Sequence, residues 1–138
     1  MKSKILLRIA CLLILVHLLG HSLGHLSWDK PKDPKMKEVV DMMKGYSTEF
    51  MGATKSMANY YEGYSIILFF VFAMTILILW SVSSFIDAHK DIAVKILYPI
   101  AITYLAFGVI EYFYFFIFAA SISFLAGVFV FLGINSAK

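Results

Sequence analysis

The chain has 138 residues, 61% of them hydrophobic and 15% charged, with a formal net charge of +3. Its apolar residues fall in blocks long enough for membrane-crossing helices, which need about 20 residues each, so an ordinary soluble domain is excluded. A single cysteine, Cys11, has no partner in the chain, which excludes a disulfide scaffold.

Flanking charges and turn residues mark four spans, at 9–26, 64–82, 92–110 and 113–134. The expected fold is all-α: a four-helix transmembrane bundle in one membrane domain covering 1–138. Helices are required because an open strand in lipid would leave its backbone N–H and C=O groups unpaired. The first span opens on Lys2, Lys4 and Arg8 and ends on small residues around Gly24. The same features describe a secretory signal peptide; the four-span reading takes the segment as retained.

The loop at 27–63 is expected to hold a short amphipathic helix. Asp33 suits the N-cap, Pro34 the first turn, and Met36, Val39, Val40 and Met43 recur at helical spacing before Gly45. A turn at 50–52 then leads into a helix expected to start near Thr54. The last two spans hold one charge, Glu111; one continuous helix would be nearly twice as long as a bilayer core of about 30 Å is thick. A hairpin at 108–112 is therefore expected, with Glu111 at a water interface. Pro99 lies within the third span and removes one helical hydrogen bond.

Basic residues near span ends are divided evenly. Lys2, Lys4, Arg8, Lys90, Lys95 and Lys138 share one side, and Lys30, Lys32, Lys35, Lys37, Lys44 and Lys55 the other. Because the first helix usually dominates orientation, both termini are expected in the cytoplasm, with the lipid bilayer as the principal partner.

Three histidines, His17, His21 and His25, recur every four residues on the first span. Four residues advance a helix by about 400°, so the three form a stripe within about 80°. Imidazoles at this spacing can contact a metal or haem, pass a proton, or hydrogen-bond to neighbouring helices. The four-span topology also gathers His21, His25, Asn59, Tyr61, Glu62, Tyr64 and Glu111 on one membrane face as a candidate pocket for a lipid-like or quinone-like molecule. Gly20 and Gly24 form a G-x-x-x-G, and Ala119, Ser123 and Gly127 a second small-residue stripe; both suit close helix packing, within the chain or with another copy or membrane protein. No nucleotide-binding, zinc-protease or hydrolase motif is present, no basic patch suits nucleic acid, no cofactor is predicted, and no catalytic residue is assigned.

Two stretches resemble a family of small bacterial four-pass membrane proteins. One is His21-Ser-Leu-Gly24-His25; the other, Phe50-Met-Gly52-Ala-Thr-Lys55-Ser56-Met-Ala-Asn59-Tyr60-Tyr61-Glu-Gly63-Tyr64, is similar to the family's F-x-G-x-x-R-S-Y-W-D-F-Y-x-G-F. Lys55 stands for the family's arginine, Met57 and Ala58 for aromatics, and Asn59 for an acid. The resemblance implies the four-pass fold and a bacterial inner-membrane location, without an established activity. The sequence reading is thus a small integral membrane protein with a structural or accessory role.

Overall fold

The structure, a computed structural model, describes residues 2–137. In chain order it contains α1 (Lys2–Ser27), α2 (Pro34–Gly45), β1 (Ser47–Phe50), β2 (Ala53–Ser56), α3 (Met57–Phe85), α4 (Lys90–Tyr114) and α5 (Ile117–Ser136). Helices α1, α3, α4 and α5 are each long and apolar enough to cross a membrane, so the fold is the expected all-α four-helix transmembrane type. The helices extend past the hydrophobic blocks at most ends, since helical hydrogen bonding does not stop where hydropathy falls.

The described residues form two compact units, 2–18 with 72–137, and 19–71. The first unit holds parts of all four long helices around a core of Leu7, Ile14, Phe72, Leu79, Leu97, Tyr104 and Val130. Small residues let α5 approach closely. A Cβ on Gly108 of α4 would lie 2.6 Å from Phe124 Cβ, and one on Gly127 would lie 2.8 Å from the Leu105 backbone nitrogen. The stripe of Ala119, Ser123 and Gly127 is buried and packs within the chain. On α1, Arg8 stacks its guanidinium 4.4 Å from the Trp80 ring, a pairing that keeps a cation tolerable beside apolar helices.

This packing corrects the expected hairpin at 108–112. Gly108 serves as a contact point between helices, and α4 runs on to Tyr114; the break comes at Phe115 and Phe116. The Phe115 N–H donates to the Glu111 carbonyl at 2.9 Å, so Glu111 belongs to the last turn of α4.

In the second unit, Asp33 caps α2 by accepting the Met36 N–H at 2.9 Å, with Pro34 opening the helix. Lys44, near the end of α2, reaches Asp29 at 3.0 Å and lies 5.7 Å from the Trp28 ring, which itself meets Tyr61 at 4.8 Å. The Lys44 hydrogen bond holds the exposed Asp29 carboxyl below its ordinary value. That link is therefore present at neutral pH and is lost as pH falls through the lowered value. Of the apolar positions on α2, Val40 is buried while Met36 and Val39 remain exposed.

Residues 47–56 form an antiparallel hairpin, pairing Ser47 with Ser56 and Phe50 with Ala53. Met51 and Gly52 both have positive φ, 51° and 80°, as a two-residue turn between right-twisted strands requires. The expected helix start near Thr54 is corrected accordingly: 53–56 is a strand, and α3 begins at Met57. Ser56 and Asn59 explain that start. The Asn59 N–H donates to Ser56 Oγ at 3.2 Å, and the Ser56 N–H donates to Asn59 Oδ1 at 3.0 Å, a reciprocal cap.

Gly108 and Gly20 should respond oppositely to alanine. Gly108→Ala forces the α4 and α5 backbones apart and is expected to destabilise by about 1–3 kcal/mol. A Cβ on Gly20 meets nothing within 4 Å, so Gly20→Ala should be neutral or stabilise by up to about 1 kcal/mol through helix propensity. Unfolding by sodium dodecyl sulfate in mixed micelles compares the two.

Candidate functional site

Two groups of polar side chains form around the histidines of α1. An apolar span offers no water to satisfy an imidazole, so each ring nitrogen needs a protein partner.

The first group lies in the unit formed by 2–18 and 72–137. His17 Nδ1 is 3.0 Å from Ser123 Oγ on α5, and His17 Nε2 is 3.6 Å from Glu111 Oε1 on α4. The side chains of His17 and Glu111 retain only 11% and 13% of their exposure, and Ser123 is fully buried. The Phe72 ring covers the imidazole at 4.7 Å. The Ser123 hydroxyl also lies beside Glu111, and the buried Tyr104 adjoins Thr75. Ser123, His17 and Glu111 thus follow the order of a nucleophile, base and orienting acid. Ser123 is fully buried, so the three side chains form an enclosed run of polar contacts between α5, α1 and α4.

The second group lies in the unit formed by 19–71, where His21 and His25 converge on Ser65 of α3. His21 Nε2 is 2.9 Å from the Ser65 carbonyl oxygen and 3.0 Å from Ser65 Oγ, while His25 Nδ1 is 2.9 Å from the same Oγ. A carbonyl can only accept, so His21 Nε2 carries a hydrogen. That N–H is shared between the two Ser65 oxygens, and the Ser65 hydroxyl donates onward to His25 Nδ1. A neutral His25 then keeps its hydrogen on Nε2. Phe69 closes the group, its ring in edge-to-face contact with His21 at 5.0 Å and with His25 at 5.4 Å.

The expected pocket residues are distributed among several settings. His21 and His25 meet at Ser65, and Tyr61 packs on Trp28. Asn59, Glu62 and Tyr64 line a shallow depression with Lys55 and Tyr60, although the Asn59 side chain is also engaged in capping α3. Glu111 belongs to the first unit, where its side chain faces His17. Its position in the last turn of α4 brings it beside His17 of α1 and Ser123 of α5.

Ser65 and Ser123 are the polar partners that sequence reasoning missed or placed only in packing. The available signal was the presence of hydroxyl groups inside apolar spans, where each requires a hydrogen-bonding partner. Among the described residues, no group of three or more His, Cys, Asp or Glu side chains is placed to hold a metal ion. His21 Nε2 and His25 Nδ1 face the shared Ser65 hydroxyl. The charged turn of Asp87, His89, Lys90 and Asp91 is exposed between α3 and α4.

Compared with models of protein families, with curated proteins and with solved structures, the chain matches none.

Removing one hydroxyl tests the second group. Ser65→Ala leaves His21 its carbonyl acceptor but deprives His25 of its donor, and is expected to destabilise by about 0.6–1.7 kcal/mol. In ¹⁵N spectra of the histidine rings at neutral pH, the His21 signals should keep the Nε2–H pattern, while those of His25 should change.

Proposed function

We propose that the chain is an integral membrane protein with a structural or accessory role, its histidines serving to fasten transmembrane helices to one another. The observation that carries this reading is the convergence of His21 and His25 on the Ser65 hydroxyl at 3.0 and 2.9 Å. The hydroxyl and the facing ring nitrogens are thereby committed to the chain itself. His17 between Glu111 and Ser123 supports the same reading in the first unit.

We place it in a bacterial inner membrane with both termini cytoplasmic. The resemblance over 50–64 supports the membrane, and Lys2, Lys4 and Arg8 before the first apolar run support the orientation. Retention of α1 is supported by the burial of Leu7, Ala10, Cys11 and Ile14, which places α1 in the core of the first unit. The exposed G-x-x-x-G of Gly20 and Gly24 is where a second copy or another membrane protein could pack closely, since neither glycine has a neighbour within 4 Å of an added Cβ.

A second reading, binding of a lipid-like molecule, is favoured by one observation. Lys55, Asn59, Tyr60, Glu62 and Tyr64 line a single depression, pairing a cation and an anion with interfacial aromatics. Native mass spectrometry from mild detergent separates the readings. A structural role predicts a full-length chain without a stoichiometric adduct, and a His25→Ala variant that unfolds more readily. A retained adduct of lipid-like mass, lost in Glu62→Gln, would replace the structural reading with the binding one.

A further inference from the structure

From the first polar group we infer that His17, Glu111 and Ser123 constitute a proton-binding site inside the membrane span, taking up and releasing one proton as a unit. This goes beyond fastening helices, which a permanently neutral hydrogen bond would do equally well.

The geometry supplies a place for the proton and a means of registering it. With the pair deprotonated, the Glu111 carboxylate faces His17 Nε2–H across 3.6 Å, and His17 Nδ1 accepts the Ser123 O–H at 3.0 Å. When a proton arrives at Nδ1, that nitrogen becomes a donor and Ser123 Oγ must accept. The Ser123 hydrogen is then released to turn toward Glu111, which lies within its reach. The bound proton thus reverses one hydrogen bond and redirects a second, with no covalent bond between heavy atoms broken. It comes from solvent and returns there unchanged.

Burial makes the occupancy matter. Glu111 Oε2 is buried and has no hydrogen-bond partner among the described residues. Without the proton the pair carries a net negative charge in a region where uncompensated charge is costly; with it the pair is neutral overall. Facing the pair, α3 contributes the Phe72 ring, α5 contributes Ser123, and α4 contributes Tyr104, which adjoins Thr75 of α3. Arg8, the cation earlier on α1, is stacked on Trp80. Glu111 lies in the last turn of α4, beside the Phe115–Phe116 break, so only a short distance along the chain separates it from the end of the span.

The test uses the full chain in lipid nanodiscs, with ¹⁵N-labelled histidine and ¹³C-labelled glutamate, between pH 4 and 9. The ring signals of His17 and the carboxyl signal of Glu111 are expected to change with one common midpoint. In Glu111→Gln the carboxyl signal is lost and the His17 midpoint moves by at least one pH unit. Ser123→Ala should retain proton uptake and keep the neutral ring's hydrogen on Nε2, facing the carboxylate, while the Nδ1 signal moves as its accepted hydrogen bond is lost. Midpoints for His17 and Glu111 that differ by more than one pH unit in the wild-type chain would overturn the inference, as would no His17 change across the range. If Glu111→Gln does not fold, His17→Gln provides the reciprocal test: an unmoved carboxyl midpoint rejects the coupled site. Ring nitrogens that stay hydrogen-bonded without titrating would leave the fastening role intact and remove only this site.

Discussion

Inside a hydrocarbon layer an imidazole without a partner is costly, and this chain carries three on one helix. The arrangement of polar groups around α1 follows from that constraint. Each histidine is met by a hydroxyl, Ser123 for His17 and Ser65 for His21 and His25, with Glu111 completing the first of these groups. Because each hydroxyl belongs to a different helix from its histidine, satisfying the rings also fixes which helices lie side by side. Apolar packing alone cannot provide this selectivity, since lipid tails are as apolar as leucine and packed leucines can slide in register.

Small residues make those contacts possible. Ser123 can reach His17 only if α5 lies close, and α5 lies close because Gly108, Gly127 and Ala119 leave room for its backbone. The stripe on α5 and the polar group are therefore parts of one design: glycine and alanine permit the approach, and the serine within the same stripe uses it. Gly20 and Gly24 on α1 differ, being open on the side where a Cβ would project. In the second unit the reciprocal Ser56 and Asn59 cap sets where α3 begins, and so the phase at which Ser65 is presented to the histidines.

Much of the fold was legible in the sequence because hydropathy and length act locally. Four spans, the Asp33 cap and the amphipathic α2 follow from residue type and spacing alone. The hairpin at 47–56 was missed because a Met-Gly turn is an unusual choice for two positive φ angles, and its strands are too short and polar to show alternation. The end of α4 was misplaced because Gly108 reads locally as a turn residue, whereas its role depends on Phe124 sixteen positions further on. The histidine stripe itself was plain, but its partners were not: Ser65 and Ser123 are distant in sequence, and helix spacing does not reveal which face of one helix meets which face of another.

The central claim is that the histidines of α1 are satisfied by the chain's own hydroxyl groups, and a double-mutant cycle on His17→Leu and Ser123→Ala tests it most directly. Unfolding free energies of the wild type, both single variants and the double variant, measured in the same lipid mixture, isolate the pairwise energy. The account predicts a coupling of about 0.6–1.7 kcal/mol, from the average to the largest value found for hydrogen bonds between transmembrane helices. A coupling indistinguishable from zero, with both single variants folded, would contradict it.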